Sequence, residues 1–240
     1  MTTKWTLPGT MIQLDRSEVG QIGKVFDSMF LTGGMTLSQV CSLTGLEAYM
    51  VQNWVKRGFL TSPSRKRYSL EQVCRIININ MLKSILPMER ICGLLRYVNG
   101  DLDDTSDDMI DDARLYFMFV KLAANYRMMH DNSGRDHAID EMLAEYKEPV
   151  PGAKERVRKV LCVMLTAWAA AQLQRAAEDM LSQIWLNLFS NAIKFTPKGG
   201  CISCSLKADE QAVTVVISDN GIGMTADEIA VPAFCREWMP

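Results

Sequence analysis

Three consecutive cations, Arg65, Lys66 and Arg67, stand beside Tyr68 in a turn-rich stretch that begins at Phe59. Cations on a projecting turn neutralise phosphates and give affinity without reading sequence. A solvated loop would carry the same triplet. Just upstream lie Tyr49, Gln52, Asn53 and Lys56. Gln and Asn amides can pair bidentately with an adenine edge, and a tyrosine can stack or touch a phosphate. Two other groupings invite a metal. Asp101 to Asp112 is dense in carboxylates, yet it lacks the glycine and terminal glutamate of a twelve-residue calcium loop. Its expected role is local, with Ser106 capping a helix and Asp107 and Asp108 in the first turn. Cys201 and Cys204 have C-x-x-C spacing but fall in an expected strand, where residues three apart face opposite ways. His130 and His137 have no partner pattern and read as surface residues. No catalytic set emerges.

The elements that must position the first group are legible. Thr36 is a good N-cap for a helix with Leu37, Val40, Cys41 and Leu43 at helical spacing. Gly45 allows a tight turn, a second helix runs from about Glu47 to Arg57, and Gly58 stops it. Such a pair is a helix-turn-helix candidate, and equally a simple core-forming hairpin. Trp54 is expected in the core. After the cationic stretch, Ser69 caps a helix that continues through Leu82. Pro87 precedes a last short one with Ile91, Leu94 and Leu95. Charge is segregated: residues 1–100 hold 12 Lys+Arg against 6 Asp+Glu, and residues 101–148 hold 5 against 13. A basic head is an electrostatic footprint for nucleic acid.

Thr36, Gly45, Trp54, Gly58 to Leu60, Arg67 to Ser69 and Ile91 to Leu95, in this order, resemble the MerR-type winged helix-turn-helix head. More broadly, residues 5 to about 175 resemble an uncharacterised bacterial family with such a head and a helical tail. The resemblance implies double-stranded DNA as partner, contacts from Tyr49, Gln52, Asn53, Lys56, Arg65, Lys66, Arg67 and Tyr68, and a homodimer on two half-sites. Gln52-Asn-Trp-Val55 replaces the aromatic-rich motif usual at that point.

A helix is expected from Met109 to about His130, broken by Asp131 to Gly134, with a shorter one from Asp140 to Tyr146. Glu148-Pro-Val-Pro-Gly152 is a clear stop. Ala153 to about Ala177 reads as one long helix, with Val157, Val160, Leu161, Met164, Leu165, Trp168 and Leu173 on one side. It packs on the preceding helices or pairs two chains. The longest apolar run, Val160 to Leu173, is shorter than the roughly 20 residues that span a bilayer. With seven scattered cysteines and no signal peptide, the expectation is a cytoplasmic protein off the membrane.

From Leu181 the texture changes. An amphipathic helix from Ser182 ends at Thr196-Pro197, then Gly199-Gly200 leads to strands Cys201 to Leu206 and Val213 to Ile217. Asp219-Asn-Gly-Ile-Gly-Met224 follows, with Thr225 capping a short helix. This resembles the N box and first glycine box of the sensor histidine kinase ATP-binding domain, of the GHKL superfamily. The resemblance implies that Asn191 ligates Mg²⁺ carried by ATP and that Asn187 and Lys194 lie near the phosphates. Asp219 would accept from the adenine amine, with Gly221 and Gly223 admitting the base. About sixty residues remain for a domain that needs over a hundred. The lid, second glycine box and phosphoacceptor histidine box have no counterpart, and Phe234 is at best a remnant.

The fold class expected is mainly α: a winged helix-turn-helix head (1–100), a helical body (101–178) and an incomplete α/β GHKL-type ATPase segment (179–240). The function expected is a DNA-binding transcriptional regulator with an inactive kinase-type appendage. It requires no cofactor, and Mg-ATP is the ligand that the resemblance implies. The alternatives are an ATP-binding signalling protein completed by a partner chain, and a helical interaction module.

Overall fold

A computed structural model describes residues 4–102, 104–126, 132–208 and 213–223. The chain forms two compact units, Met1–Gln172 and Leu173–Pro240. Among the described residues it is mainly helical, with three two-stranded antiparallel sheets.

In the first unit, strands β1 (Lys4–Thr6) and β2 (Gln13–Asp15) pair, and α1 (Ile22–Met29) follows a short 3₁₀ turn. Next come β3 (Met35–Thr36), α2 (Leu37–Thr44), α3 (Ala48–Lys56) and β4 (Arg67–Tyr68). Thr36 and Gln39 form a capping box at the start of α2, satisfying two backbone donors that a helix start leaves open. Gly45 ends α2 at φ +69, a left-handed conformation where a side chain would be strained. The turn to α3 therefore needs no more than Gly45, Leu46 and Glu47.

Helix α4 (Leu70–Leu82) begins with a second capping box, Ser69 with Gln72, and is the buried spine of the unit. Every residue from Val73 to Ile79 is buried, Arg75 and Asn78 included. Helices α5 (Met88–Asn99), α6 (Asp112–Ala124), α7 (Asn132–Met142) and the first part of α8 (Ala153–Phe195) complete the unit. One continuous core runs from Leu7 to Ala167, so the basic head and the acidic body share their interior. Tyr116 at its centre donates its buried hydroxyl to the Pro8 carbonyl at 2.9 Å, and Asn80 donates to the carbonyls of Gly9 and Thr44.

Three expectations about the body change. Asp111, not Ser106, caps α6, because Ser106 lies in a separate 3₁₀ turn, Thr105–Asp107. Helix α7 begins at Asn132 and carries Ser133 and Gly134 inside it, so glycine there does not break the helix. Two expected helices, from Ala153 and from Ser182, are one helix of 43 residues. Nothing between them removes a backbone donor or demands positive φ, and Ala, Gln, Leu and Glu all favour helix. That helix is long and apolar enough to cross a membrane by length and composition. Its apolar face from Val157 to Leu165 is already spent in the core of the first unit. Leu173, Met180, Leu186 and Ile193 beyond it are exposed. His137 is exposed; His130 lies outside the described residues.

In the second unit, β5 (Ile202–Ala208) pairs with β6 (Val213–Asp219) from Ile202 opposite Asp219 to Ala208 opposite Val213. Both strands run two residues past the expected ends.

Candidate nucleic-acid interface and nucleotide segment

Val51 and Trp54 of α3 are buried, and the other side of the same helix is open. Tyr49 is 69 % exposed, and Gln52, Asn53 and Lys56 are exposed with it. The expected set therefore shares one solvent-facing side of a helix pinned by its tryptophan. Glu47, at the helix start, is exposed too.

The cationic stretch forms a hairpin. The Arg67 N–H donates to the Ser64 carbonyl at 2.8 Å, and β4 pairs with β3 so that Tyr68 faces Met35 and Arg67 faces Thr36. Arg65 and Lys66 form the tip, at φ 48 and 62. Two central residues at positive φ are the pattern of a type I′ turn, which prefers Asn-Gly and strains longer side chains. The two exposed cations thus occupy a conformation that disfavours them.

The other members of the group behave differently. Tyr68 is 3 % exposed and packs in the core, which pushes its hydroxyl pKa up by burial and removes it from any surface contact. Strand alternation explains this: Tyr68 points inward when Arg67 points outward. Arg67 donates from Nη1 to the Gly34 carbonyl at 2.8 Å, clasping the hairpin to the loop before β3. A Cβ on Gly34 would stand 2.7 Å from the Tyr68 carbonyl, so this approach needs glycine.

Beneath the hairpin lies polar ground that residue order did not announce. Arg75 donates from Nε to the Phe59 carbonyl and from Nη1 to Asp112 Oδ2, both at 3.0 Å. Asn78 donates to the Asp112 carboxylate and carbonyl. Gln72 reaches Thr61 and Ser62 at the base of the hairpin. The Glu71 carboxylate accepts from the Ala113 N–H at the start of α6. Loss of solvent, together with Asp111, Asp112 and Asp108, pushes the Glu71 carboxyl up to about 7. Asp108 is likewise pushed up to about 6, by desolvation and then Asp112, Asp107 and Asp111. The signal was an arginine and an asparagine three apart inside the otherwise apolar run from Val73 to Ile79.

In the second unit, Asn187, Asn191 and Lys194 follow one another at i, i+4 and i+7 along α8, one side of a helix. The Asn187 carboxamide accepts from Gln183 at 3.0 Å, Asn191 is exposed, and the Lys194 ammonium stands 5.2 Å from the Phe195 ring centre. Asp219 Oδ1 accepts from the Gly221 N–H at 2.9 Å, and the Ile222 N–H donates to the Phe195 carbonyl. The Asp219–Gly221 turn is thus stitched to the end of α8. A Cβ on Gly221 would stand 2.5 Å from the Phe195 carbonyl, which explains that glycine by packing. Gly223 has φ +69. Thr225 and Phe234 lie outside the described residues. Asp219, Gly221 and Gly223 thus stand together in one turn, and Asn191 and Lys194 are exposed on α8.

Comparison with known proteins agrees with a two-part chain. Residues 21–119 match the family described as a domain of unknown function, DUF1836, and residues 176–236 match the histidine kinase-, DNA gyrase B- and HSP90-like ATPase family. The first match falls within the first unit and the second within the second unit. It is 24 % identical over 160 residues to the uncharacterised protein YkrK of Bacillus subtilis, covering 62 % of this chain and 69 % of that one. Over 57 residues it is 44 % identical to the adaptive-response sensory kinase SasA of Synechococcus elongatus, 23 % of this chain and 15 % of the kinase. Over 50 residues it is 46 % identical to the sensor protein CreC of Escherichia coli, 20 % of this chain and 10 % of the other. The likeness to kinases spans a small part of each kinase. No solved structure matches.

Proposed function

We propose that the first unit binds double-stranded DNA as a MerR-like regulator, acting as a homodimer on two half-sites. The observation that carries this reading is the coexistence of an open α3 side, Tyr49, Gln52, Asn53 and Lys56, with a hairpin tip of exposed Arg65 and Lys66. An α-helix fits the major groove, where the two amides read adenine edges while the tip cations neutralise phosphates. Arg67 contributes by holding the hairpin. A duplex selection followed by anisotropy tests the division of labour. Gln52→Ala with Asn53→Ala should cost about 1–3 kcal/mol on the selected site and leave mixed-sequence affinity nearly unchanged. Equal loss on both DNAs would contradict base reading by α3.

A second reading, an ATP-binding signalling protein, is favoured by the kinase-type match over residues 176–236. In that reading Asp219 accepts from the adenine amine, Asn191 gives an amide oxygen to Mg²⁺, and a partner chain supplies the phosphate cover. It requires Mg-dependent ATP binding that Asn191→Ala and Asp219→Ala both abolish. Calorimetry without heat at millimolar Mg-ATP would end it.

A further inference from the structure

Among the described residues of the second unit Ala192 alone is buried, so the distal part of α8 carries its apolar side chains uncovered. Ala177, Leu181, Ile184, Leu188, Asn191 and Phe195 follow one another at steps of four and three. That is the heptad spacing that lines up one seam along a helix. Leu181, Ile184, Leu188 and Phe195 are 40–55 % exposed, and Leu173 and Met180 flank them more open still. We propose that this seam packs in register on the same seam of a second copy of the chain, so that the distal part of α8 is the homodimer interface. The proposal rests on the chain being a homodimer, as inferred above, and not on DNA binding.

The area open on this side is that of a dimer seam. Leu173, Met180, Leu181, Ile184, Leu188 and Phe195 together leave on the order of 600 Å² open on each chain. Two such surfaces reach the roughly 1,200 Å² at which specific interfaces begin, and each is as large as a monomer ordinarily leaves uncovered. A bilayer is the poorer cover, because Arg175, Glu178, Asp179 and Lys194 fall in the same stretch. A second copy also answers the polar residue in the seam. In a two-fold pair leucine meets leucine and Asn191 meets Asn191, whose amide both donates and accepts. One asparagine among apolar seam positions sets the register of such a pair. Arg175, Asp179 and Ser182 lie on the opposite side of the helix and bound the seam. Leu186, 64 % exposed, lies on that opposite side too and takes no part in it.

The experiment is sedimentation velocity of the full chain, without DNA, from about 1 to about 100 μM, where mass action exposes the equilibrium. The expected result is a dimer whose dissociation constant rises at least about tenfold in the variant Leu181→Glu with Ile184→Glu. Leu186→Glu, an equally apolar and open position off the seam, should leave that constant unchanged. All three residues are exposed, so none of these substitutions empties a core, and an unaltered circular dichroism spectrum shows that each variant keeps its helices. A chain that stays monomeric throughout would overturn this proposal together with the homodimer reading. A dimer that the seam variant leaves intact, or that Leu186→Glu breaks as readily, would overturn the proposal alone.

Discussion

The guanidinium of Arg75 meets the carboxylate of Asp112 at 3.0 Å, and the two side chains are 5 % and 9 % exposed. This pair joins α4 of the basic head to α6 of the acidic body. Each partner is further satisfied, Arg75 by the Phe59 carbonyl and Asp112 by Asn78. Burial still pushes the Asp112 carboxyl upward against the pull of Arg75. Removing one member leaves the other desolvated and unmatched. Asp112→Ala or Arg75→Ala should therefore destabilise the first unit by about 3–5 kcal/mol. The double change Arg75→Met with Asp112→Leu should recover most of that loss. Urea melts followed by tryptophan fluorescence measure both, and additive losses would show that the pair is not coupled.

The hairpin tip yields a prediction in which stability and binding part company. Arg65 and Lys66 sit at positive φ, where a left-handed conformation costs roughly 1–2 kcal/mol per non-glycine residue. Arg65→Asn with Lys66→Gly supplies the residues that a type I′ turn prefers. The variant should melt at higher temperature, by about 1–2 kcal/mol of added stability, and bind DNA less tightly. A variant that loses stability would refute the strained-turn assignment.

Glu71 and Asp108 give the pH dependence its sign. Their folded-state values, about 7 and about 6, lie above the 4.5 and 3.8 of the unfolded chain. The folded state therefore holds these protons more tightly, and stability falls as pH rises from about 4 through 7. The protein should melt higher at pH 5.5 than at pH 8 as far as these groups decide it. Glu71→Gln should flatten that slope, chiefly by raising the melting temperature at pH 8. An unchanged slope in Glu71→Gln, measured by thermal melts across that range, would contradict the crowding of carboxyls at the start of α6.

Much of this was legible in residue order. Thr36 and Ser69 announced their helices because a capping hydroxyl three residues before a glutamine is a local device. Gly45 and Gly58 marked turns because both need positive φ. The open side of α3 followed from Trp54 and Val51 at helical spacing. Long-range matches were invisible. Nothing local told that Arg67 would clasp Gly34, that Tyr68 would turn inward, or that Arg75 would find Asp112 across 37 positions. The carboxylates from Asp101 to Asp112 looked like one helix start, but Asp104 and Asp111 cap two separate ones. In the second unit the glycine loop was legible as a motif. Its attachment to the Phe195 carbonyl was not, because that contact depends on how α8 ends.

The central claim is DNA binding through the hairpin and α3, and salt-dependent anisotropy tests it most directly. Purified full chain is titrated onto labelled duplex at several salt concentrations, beside an Arg65→Ala, Lys66→Ala variant. Each lost phosphate contact lowers the slope of log affinity against log salt by about 0.9. Binding should be salt-sensitive, with a slope that falls by about 1–2 in the variant. Absence of binding at low salt, or an identical slope for the two proteins, would contradict it.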